Sequence, residues 1–286
     1  MNVLVAGGTG FVGRSLCTVL DERGHAVTAA SRSPDDGVLP DSVATTSVDV
    51  TNPELDDVVR GFDTVVNLVA LPSHVEPTEQ RHSDVHLAGT RHLVDACERT
   101  GVERFVQMSA LGVDADISTA YFDAKRGAER CVREADLNWA IYRPSIIFGD
   151  GCAFLPFLER LTAARVVPLP EGGALPVQPL WIGDLAPMLA DGCTSGRHVG
   201  ETYALGGPDR LSLRDVVSLV REDAVVIPVP GSVAAVGARV VNAIPGVPIG
   251  VDQYRVFDLD NTTSNEALAA FDVTEANLRS LRSYLS

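Results

Sequence analysis

Short apolar runs alternate with amphipathic stretches through the first half of this chain. Asn2-Val-Leu-Val-Ala6, His25 to Ala30, and segments near 44–50, 64–70, 104–109 and 138–143 are brief and apolar, which predicts buried strands. Between them, apolar positions recur at helical spacing over 14–23, 53–60, 79–99 and 119–135. Strands separated by helices predict an α/β chain with a doubly wound parallel sheet.

The second half is less regular. Residues 1–150 are expected to form the sheet domain, and 151–286 a smaller substrate-binding lobe, with 176–206 returning to the sheet. Gln178 to Ala190 reads as a strand and a helix capped by Asp184, 201–205 as a strand, and 212–222 as a helix with Ser212 at its N-cap. Pro228 to Gly250 is apolar, but four prolines, Arg239 and Asn242 interrupt it too often for a spanning helix. It reads as a buried helix of the small lobe; a membrane-facing or quinone-facing patch is the sharper alternative.

The first strand runs directly into Gly7-Gly8-Thr9-Gly10-Phe11-Val12-Gly13 and then into an amphipathic helix. Glycines at 7, 10 and 13 permit a tight turn and close backbone approach to a diphosphate at a helix N-terminus. This is a Rossmann-type dinucleotide site in its expected context. The second strand ends in Ser31-Arg32 where NAD sites usually carry an acid, so a hydroxyl and a guanidinium are offered to a 2′-phosphate, and NADP(H) is favoured over NAD(H). Asp49-Val50 closes the third strand, where an acid meets the adenine amino group, and Asn67-Leu-Val69-Ala70 closes the fourth near diphosphate and ribose.

Lys125 is the only lysine among 23 lysines and arginines. It lies four residues after Tyr121, on one face of a predicted helix. Lysine and arginine are not interchangeable at close quarters. An ammonium beside the phenol is expected to pull the tyrosine pKa down from about 10 toward a value suited to proton transfer.

Composition narrows the remaining choices. A net charge of −15 and a pI near 4.7 argue against nucleic-acid binding and against docking on anionic lipid. Acid excess with almost no lysine resembles the cytosolic proteins of salt-loving archaea. The N-terminal run lacks signal-peptide flanks, so a cytoplasmic location is expected, at most peripheral to a membrane. Five scattered cysteines form no Cys-x-x-Cys, and His82, His86 and His92 have no partner at ligand spacing, so no metal centre is expected.

Together these residues resemble the short-chain dehydrogenase/reductase superfamily, in its extended or atypical branch. Within it the chain is most similar to the NAD(P)H-binding accessory subunit family of respiratory complex I. The carrying stretches are Met108-Ser-Ala-Leu-Gly112, Tyr121-x-x-x-Lys125, Tyr142-Arg-Pro-Ser-Ile-Ile-Phe-Gly149, Gln178-Pro-Leu-Trp-Ile-Gly-Asp-Leu-Ala186 and Thr202-Tyr-Ala-Leu-Gly-Gly-Pro208. The resemblance implies that Tyr121 is the acid/base, that Lys125 holds the nicotinamide ribose, that Ser109 partners the tyrosine, and that Pro144 and Ile146 border the cofactor. Two departures stand out: Leu111 replaces a hydroxyl common in extended members, and His86 precedes Gly89-Thr90 where Asn is frequent. Two classes stay open. One is an NADP-dependent oxidoreductase or epimerase; the other is a protein that holds NADPH as a structural ligand or redox sensor, docked on a respiratory complex.

Overall fold

The computed structural model describes residues 1–71, 81–229 and 259–286; most of the apolar 228–250 segment lies outside them. Seven strands form one parallel sheet: β1 (Asn2–Ala6), β2 (Ala26–Ser31), β3 (Ala44–Ser47), β4 (Thr64–Asn67), β5 (Arg104–Met108), β6 (Asn138–Pro144) and a late strand, Glu201–Leu205. From one edge the order is the late strand, β6, β5, β4, β1, β2, β3, so the sheet reverses direction of winding at β1 and β4. Alternation along β1 explains both faces. Val3 and Val5 enter one core layer with Leu16, Cys17 and Leu20 of α1 (Phe11–Glu22), while Leu4 and Ala6 enter the other. That second layer is completed by Leu93, Val94 and Cys97 of the helix Gly89–Thr100 and by Val132 of the helix Ala120–Glu134.

Within the described residues the expected helices are present, with local exceptions that have local causes; most of the helix expected over 228–250 and residues 79–80 of the 79–99 helix lie outside them. Over 53–60 only one turn forms, Asp56–Val59 (α2), because Asn52 Oδ1 accepts from Glu54 N–H at 3.0 Å and holds the preceding residues in a turn. The 79–99 helix divides. Ser83–Ala88 is a π-helical turn, and α3 follows at Gly89–Thr100. At the junction the Thr90 hydroxyl donates to the His86 carbonyl at 2.6 Å, a side-chain claim on the carbonyl four residues back. The helix Ala120–Glu134 (α4) is capped by Thr119, whose hydroxyl accepts from Phe122 N–H.

Beyond β6 the chain builds a small lobe. Ile147–Phe148 (β7) leads to α5 (Phe154–Thr162), then to Val166–Pro170 (β8), which pairs in parallel with Val225–Val229. Leu158, Val167, Val216 and Leu281 lie in its core. The helix Leu213–Val220 has Ser212 at its N-cap, with a reciprocal bond to Asp215. The chain returns to the main sheet through α6 (Ile182–Thr194), whose Leu185, Leu189 and Cys193 pack with α1. Asp184 does not cap α6. The helix starts earlier than the sequence suggests, with Trp181 at the N-cap and no side-chain cap, and Asp184 instead accepts from Arg279 N–H at 2.8 Å. Leu268, Phe271 and Leu278 also pack on the main sheet, around Tyr142 and Tyr203.

Candidate functional site

The glycine turn is shaped by its three spaced glycines. Gly7 has φ +86, a conformation that disfavours a side chain. A Cβ on Gly13 would collide with the Gly7 carbonyl oxygen, so glycine there lets α1 abut the turn. Gly10 is the N-cap of α1; it supplies no side chain to the cap, and the first turn holds no acid. The exposed helix end is therefore available to an anion.

A cavity of about 530 Å³ opens on this turn along the carboxyl edge of the sheet. Gly7, Thr9, Gly10, Phe11, Val12 and Gly13 line it on one side. Ser31 and Arg32 follow from the end of β2, Asp49, Val50 and Thr51 from beyond β3, and Val69 and Ala70 from beyond β4. Ala6, Ala30, Val48, Leu68 and Met108 also line it, and sequence reasoning did not assign Thr51, Leu71, Val85, Gly151 or Ala153 to the site. The Gly149-Asp-Gly151 pair after a strand was the one readable signal for the last two.

The polar atoms here have unequal engagements. The Ser31 hydroxyl is buried and has no hydrogen-bond partner. Asp49 Oδ1 accepts from Thr51 N–H at 3.0 Å and from its hydroxyl at 2.8 Å. These bonds, helped by nearby Arg32 and opposed by burial, hold the Asp49 carboxyl below its ordinary range. Behind the wall, Asn67 donates to Thr90 Oγ1 and to Gln107 Oε1, each at 3.0 Å, and accepts from Val69 N–H at 3.2 Å. This buried network sets the path of 68–71 along the cavity. An orphaned hydroxyl, a glycine cradle and a cation on one cavity fit a nicotinamide dinucleotide.

Tyr121 and Lys125 share the inner face of α4 but do not line the cavity. Lys125 is buried, and its ammonium donates to the Met108 carbonyl at 2.9 Å while lying 5.9 Å from the Tyr121 ring centroid. Met108 itself lines the cavity, so the ammonium sits one residue behind its wall. Burial lowers the Lys125 pKa to about 8, opposed by Glu129. The sequence expectation for the tyrosine pKa is reversed. Burial pushes Tyr121 up to about 12. The cause is its setting, with His82, His86 and Phe122 packed edge-on at 5.6, 5.4 and 5.3 Å between ring centroids. His86 is held neutral; burial, then Lys125 and His82, lower its pKa to about 2.

Ser109, Pro144 and Ile146 also fall outside the cavity lining. Ser109 is buried; its hydroxyl makes no hydrogen bond of ordinary geometry, though it lies near enough to Glu129 to help lower that carboxyl. Pro144 ends β6 and accepts from Leu111 N–H at 2.9 Å. Ile146 packs against the core of the small lobe. Among the described residues no cluster of His, Cys, Asp and Glu could hold a metal, and no helix is long and apolar enough to cross a membrane.

Comparison with known proteins agrees with this geometry. A family model described as NAD(P)H-binding matches residues 7–151. The mitochondrial NADH dehydrogenase [ubiquinone] 1 alpha subcomplex subunit 9 of Arabidopsis thaliana is 26% identical over 94% of this chain and 72% of its own length. A 3-beta-hydroxysteroid dehydrogenase of Mycolicibacterium neoaurum is 37% identical, over 39% of this chain and 32% of that enzyme. In structure the fold resembles MoeE5 in complex with UDP-glucose and NAD, with a TM-score of 0.66 and 23% identity, covering 94% of this chain and 97% of that one. The Thermus thermophilus UDP-glucose 4-epimerase in complex with NAD gives a TM-score of 0.64 at 23% identity, over 80% of this chain and 85% of that one. A glycine-turn cavity on the carboxyl edge of a seven-stranded parallel sheet, and a matching family model over half the chain, place this protein in the NAD(P)H-binding family, as an extended short-chain dehydrogenase/reductase-like member.

Proposed function

We propose that the chain binds NADP(H) in this cavity and acts as an oxidoreductase or epimerase on a carbonyl or carbinol carbon. The observation that carries the cofactor preference is the end of β2. Arg32 and the unengaged Ser31 hydroxyl stand there, while the one acid among the lining residues, Asp49, has an oxygen committed to Thr51. When bound, the nicotinamide supplies or accepts the hydride.

The chain's own part is the proton. Tyr121 holds it at neutral pH, since its phenol is raised to about 12. Its Oη would give that proton to a substrate oxygen in reduction and take it back in oxidation. Losing it in a buried site is costly unless a cation is near, and Lys125 Nζ is the buried cation on the same helix face. His82, His86 and Phe122 pack edge-on against the Tyr121 ring, which stays partly exposed.

A second reading has its own support. Tyr121 is raised rather than lowered, the Lys125 ammonium is engaged by Met108, and Leu111 stands where a hydroxyl is common. These features suit a protein that holds NADPH without turnover, docked on an NADH dehydrogenase-like complex as the Arabidopsis relative's name suggests. Absorbance of NADPH during incubation with a panel of carbonyl metabolites and quinones separates the two. Turnover abolished by Tyr121→Phe supports the enzyme. Tight NADPH binding with no turnover, and co-purification with respiratory subunits, supports the accessory role.

A further inference from the structure

Arg14 follows Gly13 at the end of the first turn of α1 and is half-buried. Its backbone N–H donates to the Gly10 carbonyl at 2.9 Å, as helix geometry requires. Its guanidinium makes no hydrogen bond, ion pair or ring contact with the described residues. Other half-buried guanidiniums are engaged: Arg104 by the Gly192 and Ser195 carbonyls, Arg143 by Glu129 and Asp114, Arg126 by the carbonyls of Val113 and Ile117. A lone cation close to a helix N-terminus also opposes the helix dipole, and no acid in that turn offsets it. In a chain of net charge −15, this is an unusual place to leave an arginine unanswered.

The loop after β7 makes room for it. Gly151 has φ +85 and lines the cavity together with Gly10 and Gly13. A Cβ on Gly151 would lie 3.6 Å from Arg14 Cζ and would overlap Nη2. The guanidinium therefore occupies the space that a side chain at 151 would take, beside a residue that lines the cavity.

We propose that Arg14 is a binding residue for the diphosphate of the dinucleotide, and that Gly151 is glycine to leave the guanidinium its place. This deepens the cofactor reading and rests on it. The ligand chemistry is the organic diphosphate common to NADH and NADPH. The planar fork of arginine suits two diphosphate oxygens at once. Arg32, at the end of β2, is left to the 2′-phosphate.

Calorimetric titration of NADH, NADPH, ADP-ribose and adenosine 2′-monophosphate into wild type, Arg14→Gln and Arg32→Ala tests this. Arg14→Gln should weaken NADH, NADPH and ADP-ribose alike, by roughly 10- to 100-fold for a charge-assisted contact. It should leave adenosine 2′-monophosphate unchanged, because that ligand lacks the diphosphate. Arg32→Ala should show the converse pattern, losing NADPH and adenosine 2′-monophosphate but not NADH. The ligand-free Arg14→Gln protein should melt no lower than wild type, since a cation opposing the dipole has gone; a structural role would lower it. Gly151→Ala, which displaces the guanidinium, should reproduce the loss of NADH affinity. Unchanged NADH affinity in Arg14→Gln overturns the assignment, as does an equal loss of adenosine 2′-monophosphate. A wild type that binds neither dinucleotide overturns the cofactor reading itself.

Discussion

Arg143 grips Glu129 with two parallel hydrogen bonds, Nε to Oε1 at 2.8 Å and Nη2 to Oε2 at 2.6 Å, and so ties β6 to α4 one turn beyond Lys125. Burial pushes the Glu129 carboxyl up, but Arg143, Ser109 and Arg133 together bring it below its ordinary value. The folded value is lower than the unfolded one, so the pair's stabilisation is present above about pH 4.5 and is lost as the pH falls below that. Glu129→Gln leaves a largely buried guanidinium without its main partner. The expected loss is about 3 kcal/mol at pH 7, toward the lower end of such cases because Asp114 still pairs with Arg143. Urea midpoints from pH 7 down to pH 3 check both parts: the variant should start lower and fall less steeply.

Lys125 carries the opposite sign. Its folded value of about 8 lies below the ordinary 10.5, so the buried ammonium opposes folding at neutral pH. Stability should rise as the pH climbs from about 8 toward 10.5, by about 2–4 kcal/mol in all. Lys125→Met should remove that rise and stabilise the ligand-free protein at pH 7. The Met108 carbonyl keeps a donor, because Gln107 Nε2 also reaches it at 3.1 Å. Turnover, where it occurs, should be lost in the same variant. Chemical denaturation between pH 7 and 10 decides; a variant less stable than wild type at pH 7 would refute the argument.

Cofactor choice is expected to depend on Arg32. Arg32→Ala should lower NADPH affinity roughly 10- to 100-fold and spare NADH. Fluorescence titration of both nucleotides checks it, and equal affinities in the wild type would refute it.

The acidic surface should respond to salt. With a net charge of −15 the folded chain repels itself, and screening shortens to about 3 Å at 1 M salt. The melting temperature should climb with KCl well beyond 0.1 M, and a flat curve would remove the halophile reading.

What the sequence disclosed was what local spacing controls. The glycines at 7, 10 and 13, the apolar run of β1 and the Ser212 cap depend on residues within a few positions of each other, and each is found. The misreadings that bear on side-chain roles are long-range, whereas the shortened 53–60 and divided 79–99 helices have local causes. Asp184 resembles a cap, but its partner is the backbone of Arg279, 95 residues away. For the Tyr121 pKa the sequence offers one neighbour on its helix, whereas the π-helical turn brings His82 and His86 onto the ring. Desolvation by a distant segment outweighs a cation at 5.9 Å. Arg14 and Gly151 are inconspicuous in sequence and meet only because the loop after β7 folds back over α1.

The late position of the sheet's last strand bears on how the chain is made. β6 pairs on one side with β5, and its other side waits for Glu201–Leu205. While a ribosome adds residues 145–200, an interval of a few seconds at ordinary elongation rates, that edge has no strand beside it. Asn138-Trp-Ala-Ile-Tyr142 is apolar enough to recruit the same segment from a neighbouring nascent chain. Slow synthesis through the small lobe should therefore favour aggregates over folded protein, and a supplied peptide of residues 199–207 should suppress them.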